Sequence, residues 1–229
     1  MKHLLTVFFI FSLILPVQAQ NVCNQYFPFE HFRSMTFGSY DSRDRYEGSQ
    51  TWEVQELKEE NGEKIAVVHL IIREADGRRL MENQFEARCS DGTYFINMEG
   101  AHLNEFSASM TDGIDIEIEG DDISLPNQIN EGTNLPDARM DITIKGIITI
   151  NASMHIFNRE VKGKTTLATP VGEVNAWEIT YDTTVRAGLS VRGSVKEYVA
   201  EKYGTVRTEN YNRRGRLQSY SVLEEAVSW

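Results

Sequence analysis

Residues 140–156 read Met-Asp-Ile-Thr-Ile-Lys-Gly-Ile-Ile-Thr-Ile-Asn-Ala-Ser-Met-His-Ile. Met140, Ile142, Ile144, Ile148, Ile150, Ala152, Met154 and Ile156 share one parity. Asp141, Thr143, Lys145, Thr149, Asn151, Ser153 and His155 take the other. A period of two places these sets on opposite faces of an extended chain. The parity survives Lys145-Gly146, where a two-residue hairpin would have reversed it. The stretch therefore reads as a single long strand, bent or bulged at Gly146, in a sheet that coils around a core.

Outward from that stretch the chain remains β-structured. Asn61-Gly62, Asp76-Gly77 and Asp91-Gly92 recur every 15 residues between runs rich in Val, Ile, Phe and Tyr, which predicts an antiparallel meander. Phe85, Ala87 and Cys89 alternate before Asp91-Gly92, and Tyr94, Ile96 and Met98 alternate after it with the parity reversed. This sets Cys89 opposite Tyr94 on the inner face. Ile114, Ile116 and Ile118 alternate with Asp115, Glu117 and Glu119, as in a strand with one wet face. Gly120 to Asp137, with Pro126 and Pro136, reads as a loop between two halves of the sheet. Thr165–Thr169, Val174–Tyr181, Val185–Val195, Thr205–Tyr211 and Arg216–Leu223 read as further strands, the last entered through Arg213-Arg214-Gly215. Residues 196–202 fit a strand or a helical turn. The expected class is all-β, with long antiparallel strands forming a β-roll or partly open barrel.

The chain has 229 residues, 25% charged and 41% hydrophobic, which excludes a disordered chain and a multispan membrane protein. Lys2 and His3 precede the apolar run Leu4 to Val17, and Val17-Gln18-Ala19 supplies a small-x-small cleavage step. Residues 1–19 are read as a signal peptide and residues 20–229 as a single β-rich domain. The apolar run is too short for a membrane span, so no transmembrane segment is expected after cleavage. Gln20-Asn21-Val22 before Cys23 lacks the Leu-x-small pattern of lipidation. The expected location is periplasmic or secreted.

The formal net charge is −11, and loss of Lys2 makes it more negative, which argues against general binding to nucleic acid or anionic lipid. Acidic residues crowd Glu99 to Asp141 and basic ones Arg186 to Arg216. These are two solvated faces or a polarised docking surface. Cys23 and Cys89 are the two cysteines, which in an oxidising compartment reads as one disulfide; the alternative is a reactive thiol.

No catalytic residue is assigned. His31, His69, His102 and His155 show no HxxxH or HxH spacing, so no metal site is expected. GxSxG, GxGxxG and the P-loop are absent, and no cofactor is implied. Asp115-x-Glu117-x-Glu119-Gly120 imitates the start of a calcium loop, but Asp122 and Pro126 stand where that loop needs an apolar residue and a bidentate Glu. Asn151-Ala152-Ser153 is a glycosylation sequon placed mid-strand. Tyr26, Phe27, Phe29 and Phe32 read as an aromatic plug behind Cys23, or else a ligand platform.

Several segments together resemble the TapB-like family of exported Bacteroidota proteins, a domain of unknown function. They are Cys23 with Tyr26-Phe27-Pro28, Arg88-Cys89-x-x-Gly92-x-x-Phe95, the acidic strand Ile114 to Gly120, and Thr169-Pro170-x-Gly172. Ile179-x-Tyr181-Asp182, Gly204-x-Val206-Arg207-x-Glu209 and Ser219-Tyr220-Ser221 complete the likeness. The resemblance implies a one-domain β-roll or partly open barrel in the cell envelope, and no activity. The chain departs from some members in having Ala176 rather than Cys.

The leading functional expectation is a non-enzymatic exported protein that binds a hydrophobic small molecule or an envelope protein. For an apolar groove the candidate lining is Met140, Met154, Ile156, Trp177 and Tyr181. The alternatives are a hydrolase with carboxylates assembled from distant strands, and a structural assembly module docking through its acidic and basic ends.

Overall fold

The computed structural model of the protein describes residues 23–97, 115–145 and 149–229. The signal peptide expected at 1–19, Gly146 and Met98 lie outside the described residues.

A short 3-10 turn, Pro28–Glu30, precedes the strands. They are β1 (Phe32–Asp41), β2 (Tyr46–Glu60), β3 (Glu63–Glu74), β4 (Arg79–Ser90), β5 (Thr93–Ile96), β6 (Asp115–Gly120) and β7 (Ile123–Pro126), followed by β8 (Ala138–Lys145), β9 (Thr149–Thr169), β10 (Gly172–Ala187), β11 (Leu189–Ala200), β12 (Gly204–Asn212) and β13 (Leu217–Ser228). All join one antiparallel sheet in the order β6-β8-β9-β10-β11-β12-β13-β1-β2-β3-β4-β5-β7. The two outermost strands of that order, β6 and β7, are separated in sequence by Asp121 and Asp122 alone. Three Cα steps reach at most about 11 Å. The sheet must therefore bring its edges back together, and it is a curled half-barrel, as the expected roll or partly open barrel requires.

Turn chemistry explains the meander. Glu60 pairs with Glu63 around Asn61-Gly62, and Ser90 with Thr93 around Asp91-Gly92, with the Asn and Asp at positive φ as such two-residue turns demand. Cys89 stands opposite Tyr94. Three further turns hold three residues each: Asp41 N donates to Arg45 O, Glu74 N to Arg78 O, and Asn212 N to Arg216 O.

Odd-length turns also overturn the reading of residues 140–156. Met140 pairs with Met154, Ile142 with Ala152 and Lys145 with Thr149. The stretch is thus two antiparallel strands, β8 and β9, rather than one bent strand. Three residues between Lys145 and Thr149 preserve parity across a reversal of direction. The expected strand Val185–Val195 is likewise the reversal between β10 and β11 at Gly188 (φ 74°), where Arg186 pairs with Ser190 and Val185 with Val191. The expected loop Gly120–Asp137 contains β7, and residues 196–200 complete β11.

The core forms two apolar clusters bordered in common by Trp52. Tyr26, Phe27 and Phe29 are buried, with Phe27 meeting Phe29 and Tyr94 edge-on at 5.2 and 5.5 Å between ring centroids. Cys23 is bonded to Cys89. Buried Asn24 donates to the carbonyls of Gly92 (3.0 Å) and Leu125 (2.8 Å), which ties the segment behind the disulfide to the β4–β5 turn and β7. Arg159 on β9 is buried and donates through Nη1 to the carbonyls of Ser124 (3.1 Å) and Pro136 (2.8 Å), fixing the chain on both sides of the β7–β8 connection.

Candidate functional site

The candidate surface is the end of the sheet where the β8–β9 and β10–β11 turns lie. The last β11–β12 pair is Gly193 with Asn212, so residues 184–192 project beyond the strand that flanks them. Their register with β8 and β9 is unbroken there. Met140, Met154, Val185 and Val191 form one row across four strands, and Ile142, Ala152, Ala187 and Leu189 form the next. The row Asp141, Ser153, Arg186 and Ser190 lies between them, and the row Arg139, His155, Thr184 and Arg192 lies on the inward side of Met154. Side chains alternate faces along a strand, so this end is apolar on one face and polar on the other.

The apolar face is only partly covered. Ile150, Val185, Leu189 and Val191 are 45%, 42%, 83% and 66% exposed. Met140 and Met154 are half-buried and Ile156 is buried, and all three meet with Ile123 and Ala138 in a recess too tight to admit water. The recess is the inner end of the apolar face, where β7 covers it.

Trp177 and Tyr181 are not at this surface. Trp177 is half-buried and lines a separate cleft of about 510 Å³ with Tyr26, Lys164, Glu173, Glu201 and Tyr203, and the Lys164 ammonium sits 4.8 Å from the Trp177 ring centroid. Tyr181 packs against the main core; burial, and then the charge of Glu197, push the pKa of its hydroxyl up. The structure thus divides the five expected lining residues into three that meet and two that support the core and another cleft.

A carboxylate hydrolase would need a desolvated acid and an oriented partner. Glu173 and Glu201 share the Trp177 cleft, but both are exposed and neither makes a hydrogen bond or ion pair among the described residues. Tyr26 is the perturbed group there, its pKa raised first by burial. Among the described residues no three His, Cys, Asp or Glu side chains converge as metal ligands, and no helix is long and apolar enough to cross a membrane.

What sequence reading missed is that Val185, Leu189 and Val191 belong beside Met140 and Met154. The signal was present in the shared parity on either side of Gly188, but it becomes informative only when that glycine is taken as a reversal.

Two solved structures are similar to the chain. A Bacteroides fragilis protein described as exported and as having a YmcC-like fold is 26% identical, with a TM-score of 0.72 over 89% of this chain and 99% of its own. A Parabacteroides distasonis protein described as a lipoprotein is 21% identical, with a TM-score of 0.71 over 89% of this chain and 98% of its own, and shares the fold. No curated protein matches the sequence. The DUF3108-like family profile matches residues 32–223, from the first residue of β1 into β13, and the chain belongs to the DUF3108-like family.

Proposed function

We infer that the protein is an exported, non-enzymatic binding protein of the cell envelope, and that the projecting end of β8–β11 takes up an apolar ligand. The observation that carries this reading is the pair of apolar rows, Met140–Met154–Val185–Val191 and Ile142–Ala152–Ala187–Leu189, left open where flanking β12 has ended. Contiguous exposed apolar surface on a folded chain marks an interaction site, and unbranched Met side chains adapt to ligands of varied shape. Export is supported by the apolar N-terminal run and by the descriptions of the two similar structures. The resemblance to the TapB-like family rests on the motifs around Cys23, Cys89 and Gly172. The carboxylates of the Trp177 cleft are solvated, so that cleft does not supply the desolvated acid of a carboxylate hydrolase.

Native mass spectrometry of the protein purified from its own envelope tests the reading. A bound apolar molecule of defined mass is expected. A ligand-free chain carried with a second protein would instead assign the apolar rows to a protein interface.

A further inference from the structure

The polar face of the same end carries its own site. Arg139, His155, Thr184 and Arg192 stand in one register row over β8, β9, β10 and β11, and Ser153 and Arg186 stand in the next. At about 4.8 Å between strands the row spans about 14 Å, within which long guanidinium side chains converge from both sides. These six residues and Phe157 line one cleft of about 340 Å³. The floor is Thr184, 9% exposed, and one wall is the His155 ring stacked on Phe157 at 4.8 Å.

The charges in this cleft are unbalanced. Arg139 is neutralised by Asp141, to which its Nε and Nη2 donate at 2.8 and 3.0 Å. The side chains of Arg186 and Arg192 make no ion pair or hydrogen bond among the described residues. At the adjoining end Asp182 accepts from Asn158 Nδ2 at 2.9 Å, and Arg213 adds a further cation beside Arg192. Arg186 and Arg192 line the same cleft, so an anion bound there meets both cations.

We propose that this cleft binds a phosphate monoester. Two free guanidiniums match the two charges of the dianion, and their forked donors fit its oxygens bidentately. The hydroxyls of Thr184 and Ser153 offer neutral donors, and the His155–Phe157 stack gives a flat apolar wall for the group that carries the phosphate. A carboxylate supplies one charge and two oxygens, and leaves one of the two cations unmatched.

The phosphate belongs to a soluble ester or to a lipid headgroup, and the test separates them. Inorganic phosphate is titrated calorimetrically into the mature protein at low ionic strength, with chloride as the control anion. The expected result is saturable binding of phosphate over chloride, weakened at least tenfold in R186Q/R192Q and partly restored in R186K/R192K. Both arginines are exposed, so the variants should melt with the wild type. Phosphate binding no stronger than chloride, or equal in R186Q/R192Q, overturns the proposal. Co-sedimentation with phosphatidylcholine vesicles containing phosphatidic acid, lost in R186Q/R192Q and competed by phosphate, assigns the headgroup. Phosphate binding without co-sedimentation assigns the soluble ester. L189E, on the opposite face, should leave phosphate binding unchanged even if the apolar reading fails.

Discussion

Val185 and Val191 are direct cross-strand partners near the Gly188 turn, and both remain exposed, at 42% and 66%. A pair of β-branched residues in a ladder ordinarily stabilises a sheet by packing across strands. Here no described residue covers the pair, so its apolar area contributes little to folding and is available for association. On the same face Met154, beside Val185 in that row, is half-buried, and Ile156, one step of the strand period inward, is buried.

That gradient gives the first prediction. M154D should cost less than about 1 kcal/mol, because the carboxylate can turn toward the open end and stay hydrated. I156D should cost about 3 kcal/mol or more, because it places an unpaired charge where Ile156 is only 7% exposed. Urea unfolding of both variants measures the difference; equal costs would mean that Met154 is ordinary core.

The second prediction concerns Cys23–Cys89. The bridge spans 66 residues and closes the aromatic segment onto the β4–β5 turn. Loop entropy gives it about 4 kcal/mol of stabilisation. C23A/C89A should lose about that amount in chemical denaturation and should gain susceptibility to proteolysis near Tyr26–Phe29. A loss below about 1 kcal/mol would show that Asn24 and the buried aromatic rings hold the segment without the bond.

How far the sequence disclosed this architecture depended on turn length. Asn61-Gly62 and Asp91-Gly92 are even turns that reverse parity, so the facing of Cys89 and Tyr94 could be derived from residues alone. The β8–β9 and β10–β11 reversals are odd, and alternation runs through them unchanged, which makes a hairpin look like one strand. The same blindness hid the site. Met140, Met154 and Ile156 were recognisable as one face, whereas joining them to Val185, Leu189 and Val191 needed the order of strands in the sheet. Trp177 and Tyr181 share the parity of Val185, yet they lie farther down β10, where the core already covers that face.

The third prediction is a pair of opposite pH dependences near the β1–β2 turn. Backbone hydrogen bonding from Arg45, then its side chain, lowers the pKa of Asp41 to about 2. A lowered acid contributes fully above its unfolded pKa, and that contribution disappears as pH falls from about 4 toward 2. The hydrogen bond from Tyr40 to Glu224, then burial, raises the pKa of Tyr40 to about 12. Its contribution is complete below pH 10 and is lost between about pH 10 and 12. D41N should flatten the acid limb of the stability curve and Y40F the alkaline limb. Unchanged limbs in thermal melts of these variants would remove both attributions.

The apolar rows of the projecting end are tested most directly by fluorescence titration of the mature protein with N-phenyl-1-naphthylamine, which is uncharged and so indifferent to the arginine face. Saturable enhancement by the wild type is expected, with at least tenfold weaker binding by L189E/V191E and an unchanged melting temperature, because both residues are exposed. An unmutated protein that binds no probe, or a double variant that binds it equally well, would contradict the assignment of this surface.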